Sequence, residues 1–185
     1  MSAQQTQRKL VYYVATSIDH FIAREDGSFD DFLSEGHHIT DYIDSLQQYD
    51  TVLMGKHTYE VAYQYGLKAG DPSPTYPHMM QYVFSQSMEA YNHPQLKVIK
   101  DDASQFVSNL KQEDGGTIYL CGGGKFAGYL LAHQLIDEII LKVNPIILGS
   151  GIPVFGAFNR VLNTELLDTK IYNNGVVFLH YALKK

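Results

Sequence analysis

Three short stretches mix small or hydroxyl residues with a cation or an amide: "MGKHTYE" (54–60), "FSQSM" (84–88) and "CGGGKFA" (121–127). Consecutive glycines are costly to order, because a residue without a Cβ loses more backbone freedom on folding than any other. Gly122, Gly123 and Gly124 therefore need a reason. One is a tight turn that requires positive φ; the other is a set of main-chain N–H groups brought close to an anion at a helix N-terminus. The stretch is not a P-loop, since Phe126 stands where Ser or Thr would hold magnesium and Tyr119 where the first glycine is needed. It does satisfy G-x-G-x-x-A from Gly122 to Ala127, although late in the chain, and Asp137 and Glu138 begin the next strand rather than end one. Taken alone, the pattern leaves a phosphate role and a structural turn equally open.

The surrounding elements decide where these stretches sit. "KLVYYVATS" (9–17) reads as an opening strand, followed by a loop over 23–36 that carries Glu25, Asp26, Asp30 and Asp31. Apolar residues at Ile39, Tyr42, Ile43 and Leu46 predict an amphipathic helix over 38–50. A short buried strand (51–55), a second helix (56–65) and a glycine- and proline-rich loop (66–78) come next. Strands are predicted at 80–85 and 96–100, a helix at 102–112, a strand at 117–121 and a helix at 125–135. The β-type run 136–148 is interrupted at Pro145, and two last β-type stretches flank "NNG", a strong hairpin signal. Alternating strands and helices imply an α/β fold, with a mostly parallel central sheet covered by helices on both faces and an antiparallel C-terminal edge hairpin. Residues 1–8 read as a flexible tail and 9–183 as a single domain. Such sheets bind ligands at the carboxyl ends of their strands. All three stretches follow predicted strands there, and two of them open helices, so together they form one anion-binding rim.

Bulk properties narrow the partners. The 185 residues carry a net charge of −6 and no basic cluster, which argues against nucleic acid. No apolar run reaches the ~18–20 residues of a membrane span, and the polar N-terminus is not a signal peptide. The single cysteine, Cys121, forms no internal disulfide and ends a buried-looking strand, so a reducing cytoplasm is the default. His37 and His38 are adjacent and diverge on a helix, so no metal site is expected.

These residues also carry a resemblance. "LMGKHTYE" (53–60) is similar to the strand-turn-helix of dihydrofolate reductases and of the reductase domain of the bifunctional riboflavin-biosynthesis deaminase-reductase. "TIYLCGGGKFAGYLL" (117–131) resembles their glycine-rich cofactor turn. "SIDHFIA" (17–23), "EDGSFDDF" (25–32) and "IDEIILKVNPIILGSGIPVF" (136–155) resemble patterns of the riboflavin-type branch. The similarity runs in order from about residue 10 to about residue 183. It implies a three-layer dihydrofolate-reductase-like fold, NADPH as hydride donor, and a homodimer. On this resemblance Gly55, Lys56 and Thr58 sit by the phosphates, Ser85 and Gln86 at the adenosine 2′-phosphate end, and Gly122, Gly123, Gly124, Lys125 and Phe126 over the pyrophosphate.

On the substrate side, hydride transfer to C=N or C=O needs a nearby proton, and a partly enclosed carboxylate can hold one. Asp30 and Asp31 are the catalytic candidates, with Asp19, His20 and Phe32 as substrate contacts; Asp41 reads equally as a helix-end charge. His20 replaces the glycine of S-x-D-G, and Phe32 takes the place of the pattern's tryptophan, since the chain has none. The arginines are Arg8, Arg24 and Arg160, which leaves loop 66–78 without the bidentate partner that folate's glutamate favours. The expectation is a reductase of another small cytoplasmic metabolite. The alternatives are a non-catalytic dinucleotide-binding protein and an enzyme for a phosphorylated ribityl intermediate.

Overall fold

The first strand, β1 (Leu10–Thr16), shows why the sheet must be covered on both sides. Leu10 and Tyr12 are buried on one face while Val11 and Tyr13 are buried on the other. Period-two alternation with both faces apolar is the signature of a central strand. The computed structural model describes residues 7–91 and 93–184.

After β1 the chain forms β2 (Phe21–Ala23), α1 (His37–Ser45), β3 (Tyr49–Gly55) and α2 (Lys56–Glu60). There follow β4 (Met80–Phe84), β5 (Leu96–Ile99), α3 (Ala103–Leu110), β6 (Thr117–Gly122) and α4 (Gly124–Ala132). The chain ends with β7 (Glu138–Val143), β8 (Ile152–Pro153), β9 (Thr164–Ile171) and β10 (Val177–Leu183). Eight strands make one sheet in the order β5-β4-β3-β6-β1-β7-β10-β9. Pairing is parallel from β5 through β7; β10 runs antiparallel to β7 and to β9. This is the expected mostly parallel sheet with an antiparallel C-terminal hairpin.

Two cores lie on opposite faces. Val107 and Leu110 of α3 and Ala127, Leu130 and Leu131 of α4 pack on Leu10, Tyr12, Leu53 and Leu120. Tyr42 of α1 and Tyr59 of α2 pack with Val11, Tyr13, Val52 and Tyr119 on the other face. Helices on both faces complete three layers.

Several boundaries differ from the sequence reading. Residues 1–6 of the expected tail lie outside the described residues, but Arg8 is not tail: its side chain is buried, donates to the Gly116 carbonyl at 2.8 Å and to Thr51 Oγ1 at 2.9 Å, and pairs with Asp50. The helix expected to reach residue 50 is α-helical only to Ser45. A 3₁₀ turn over Leu46–Gln48 follows, and β3 then starts at Tyr49, two residues earlier than expected. The second helix likewise tightens to 3₁₀ at Val61–Tyr65 and stops at Gly66, whose φ is +90°. A second, two-stranded sheet, β2 with β8, went unanticipated because strands of three and two residues hold no readable period.

Candidate active site

In sheet order, the carboxyl ends of β4, β3, β6 and β1 are adjacent, and all three motif stretches and the "SID" turn emerge there side by side. The turn after β3 rests on the turn after β6. A Cβ added to Gly55 would lie 3.8 Å from the Gly122 carbonyl oxygen and 3.9 Å from the Gly123 nitrogen. Gly122 has φ +130°, and its peptide bond to Gly123 is cis. Gly123 precedes α4 and faces Thr58, whose Oγ1 would be 3.3 Å from a Cβ at that position. Gly122 is buried against the Tyr12 ring and makes the turn, while half-buried Gly123 leaves bare backbone beside a threonine hydroxyl and the start of a nine-residue helix, where N–H groups and the helix dipole favour an anion.

The third glycine has a different reason. A Cβ on Gly124 would fall 2.0 Å from the Pro153 carbonyl oxygen, and one on Gly128 2.1 Å from that of Phe155. These two glycines let α4 lie directly on the segment after β7. Phe126, expected over the pyrophosphate, stacks on Phe84 with ring centroids 4.6 Å apart and serves the α4 face of the core. Lys125 is exposed at the first turn of α4.

Beyond β3, Lys56 Nζ donates to Ser87 Oγ at 3.2 Å and lies 3.7 Å from Glu60. The Ser85 hydroxyl accepts the backbone N–H groups of Ser87 and Met88, and the Gln86 amide donates to the Lys100 carbonyl. Ser85 and Gln86 therefore shape the turn, while Ser87 is the residue facing the lysine. Sequence reasoning missed it. Alongside lies a cavity of about 380 Å³ lined by Phe84, Ser85, Gln86, Ile99, Asp102 and Tyr129, among others.

The acidic candidates are not gathered at this rim. Asp30 is exposed, and Asp31 is held in a bidentate pair with Arg24 at 2.6 and 2.8 Å. That guanidinium lowers the Asp31 pKa, so the group stays ionised and donates no proton at neutral pH. Asp19 accepts from the backbone N–H groups of Leu148 and Gly149 at 3.1 and 2.7 Å. The Ser17 hydroxyl first, and then these two amides, hold its pKa at about 2. It clamps the loop after β7 instead of presenting an acid to a substrate. Asp41 is bound to Lys170 and Tyr172 across the α1–β9 gap, with its pKa lowered by that lysine. Phe32 is half-buried in the loop before α1, and that loop is tied to β7 through the Leu33 N–H on Asn144 Oδ1. His20 is exposed with φ +63°. That left-handed backbone is the physical reason a glycine belongs at this place in the pattern.

The α1 face of the sheet holds groups that sequence reading did not gather. Tyr42 and Tyr119 share a hydrogen bond of 3.0 Å between their hydroxyls, and the Tyr76 hydroxyl is 3.3 Å from Cys121 Sγ. Burial pushes all four pKa values up, so the phenols and the thiol are protonated at neutral pH. They come from α1, β6 and loop 66–78, a convergence with no signature in sequence spacing.

The architecture is that of the dihydrofolate-reductase-like proteins. A crystal structure of a putative riboflavin biosynthesis protein from Shewanella sp. PV-4 superposes with a TM-score of 0.79 at 21% identity, covering 96% of this chain and 99% of that one. Dihydrofolate reductase from Enterococcus faecalis, solved in a complex with NADP(H), gives 0.68 at 13% identity, covering 97% and 98%. The RibD C-terminal domain family matches residues 8–178, and the chain belongs to that family. Two Bacillus subtilis (strain 168) relatives are YwjB, 37% identical over 95% of this chain and 98% of its own length, and YyaP, 27% identical over 98% of each.

Proposed function

We propose that this protein is an NADPH-dependent reductase of a small carbonyl, imine or heterocyclic metabolite. The observation that carries the reading is the bare backbone at Gly123, set by the Gly122 turn, flanked by Gly55 and Thr58 and leading into α4. It is a cradle that a Cβ would narrow, and its donors suit a diphosphate. Lys56 and Ser87 hold the nucleotide's 2′-phosphate, the lysine acting as a point charge. The neighbouring 380 Å³ cavity takes the adenine against Phe84, Ile99 and Tyr129. When bound, NADPH supplies the hydride.

The chain's own residues orient and enclose. Thr58 and the α4 N-terminus fix the diphosphate, and the Asp19 clamp holds the loop after β7 closed over the end of β1. With Asp31 ionised and Asp30 in solvent, the proton comes from the tyrosine face or from water and not from those carboxylates. The test is oxidation of NADPH, followed by its absorbance, against a panel of small aldehydes, ketones, imines and 2-oxo acids. At least one should be turned over, and Gly123→Val should abolish the turnover. Binding of NADPH without oxidation by any member of a broad panel would contradict catalysis.

The chain also forms a homodimer in this reading. β9 is an eight-residue edge strand exposed along its whole length, with Leu166, Leu167 and Ile171 in solvent. An unprotected edge of that kind pairs readily with another strand. Two copies can pair their β9 edges antiparallel about a two-fold axis, covering Leu166, Leu167 and Ile171.

A further inference from the structure

Three lysine or arginine side chains are buried among the described residues: Arg8, Lys111 and Lys142. Arg8 is paired with Asp50 and Lys111 with Asp137. Lys142 has no carboxylate partner among the described residues. Its Nζ lies 5.6 Å from the centre of the Tyr42 ring, a cation–π distance, and burial alone lowers its pKa. An ammonium withdrawn from water without a counter-charge is among the most unfavourable groups a fold can hold. A neutral carbonyl would leave that charge uncompensated, whereas an oxyanion would neutralise it.

The position fits a substrate. Lys142 pairs with Ala15 of β1 and Phe178 of β10, which places its side chain on the α1 face with Tyr13 and Ile140. β1 pairs with β6 with Tyr12 opposite Leu120, so Ala15 stands at the level of Gly123. Lys142 is thus two strands across from the glycine turn, about 10 Å at the usual strand spacing. Tyr42, joined to Tyr119 through their hydroxyls, and the Tyr76–Cys121 pair lie on this same face.

Resting on the reductase reading above, we propose that Lys142 is the substrate-recognising group. It binds a carboxylate or phosphate oxyanion of a small carbonyl or imine compound laid on the α1 face between Tyr42 and the glycine turn. The charge selects the substrate, while the cofactor site lies apart from it.

The test uses protein whose lysines carry ¹³C-dimethyl groups, with the Lys142 signal identified by its loss in Lys142→Met. Acetate, pyruvate and inorganic phosphate are titrated in the presence of saturating NADP⁺. The Lys142 signal should shift saturably with one anion class while those of exposed Lys97 and Lys184 do not. Acetate or pyruvate acting alone marks a carboxylate substrate; phosphate acting alone marks a phosphate ester. Lys142→Met should keep NADPH affinity within twofold, lose the anion response and melt at the same temperature or higher. A Lys142 signal that does not move, or moves only linearly like the exposed lysines, overturns the proposal. So does a lower melting temperature in Lys142→Met, which would make the Tyr42 contact structural. Failure of the wild-type protein to bind NADPH would overturn the reductase reading and the substrate role with it, whatever the lysine signals show.

Discussion

His20 is the residue at which sequence and structure explain each other most directly. The family pattern has a glycine where this chain has an imidazole, and the backbone there has φ +63°. Left-handed backbone costs an L-residue with a Cβ about 1–2 kcal/mol, part of which glycine gives back through greater freedom in the unfolded chain. His20→Gly is therefore expected to raise the free energy of unfolding by about 0.5–1 kcal/mol, measured by urea denaturation. A loss of stability would show that the imidazole makes a compensating contact. At the same scale, the three glycines separate into two roles that no sequence pattern distinguishes. Gly122 with its φ of +130° and Gly123 shape the turn at the rim, whereas Gly124 is required by the carbonyl of Pro153, 29 positions along the chain. Asp30 and Asp31 are candidates by loop position and, for Asp30, by resemblance to the family's loop aspartate; neither reveals that Arg24 seven residues earlier holds Asp31.

Among the elements, the loop after β7 is held at Leu148 and Gly149 by one carboxylate, Asp19. The Asp19 pKa is lowered to about 2, against about 3.9 for a free aspartate. A depressed carboxylate pKa contributes stability that is fully present above the unfolded value and is lost as the pH falls through the folded one. The backbone amides of Leu148 and Gly149 should thus keep their hydrogen-exchange protection down to about pH 4 and lose it as the pH approaches 2. Asp19→Asn should weaken that protection at pH 4 and above, and unchanged protection there would remove the clamp. Most elements were legible because β1 has a clear period and β3, β6 and α4 have glycine boundaries. The exceptions share a cause: the 3₁₀ turns at Leu46–Gln48 and Val61–Tyr65 keep an apolar spacing close to that of an α-helix, and the β2–β8 pair is too short to have one. Lys142 sits inside the apolar run "IILKVNP", where a lysine reads as an outward-facing break in a strand. Its burial follows only from the third layer that α1 adds.

For the whole molecule, the sheet order brings three distant motifs to the carboxyl ends of the adjacent strands β4, β3 and β6, and leaves β9 paired with β10 on one side and open on the other. If β9 is the self-association edge, sedimentation should show a dimer, and a Leu166→Lys, Ile171→Lys double variant should sediment as a monomer that still binds NADPH. A wild-type monomer at micromolar concentration would contradict the pairing. No helix among the described residues is long and apolar enough to cross a membrane.

The claim on which the rest depends is that the rim formed by β4, β3 and β6 binds a phosphorylated dinucleotide. Calorimetric titration with NADPH and with NADH, on the wild-type protein and on Lys56→Glu, tests it most directly. The expected result is micromolar NADPH binding at one site per chain, at least tenfold tighter than NADH, with that preference abolished in Lys56→Glu. A tenfold preference corresponds to about 1.4 kcal/mol. If neither nucleotide binds, the Gly122–Gly123 turn is one required by packing, and the reductase reading is wrong.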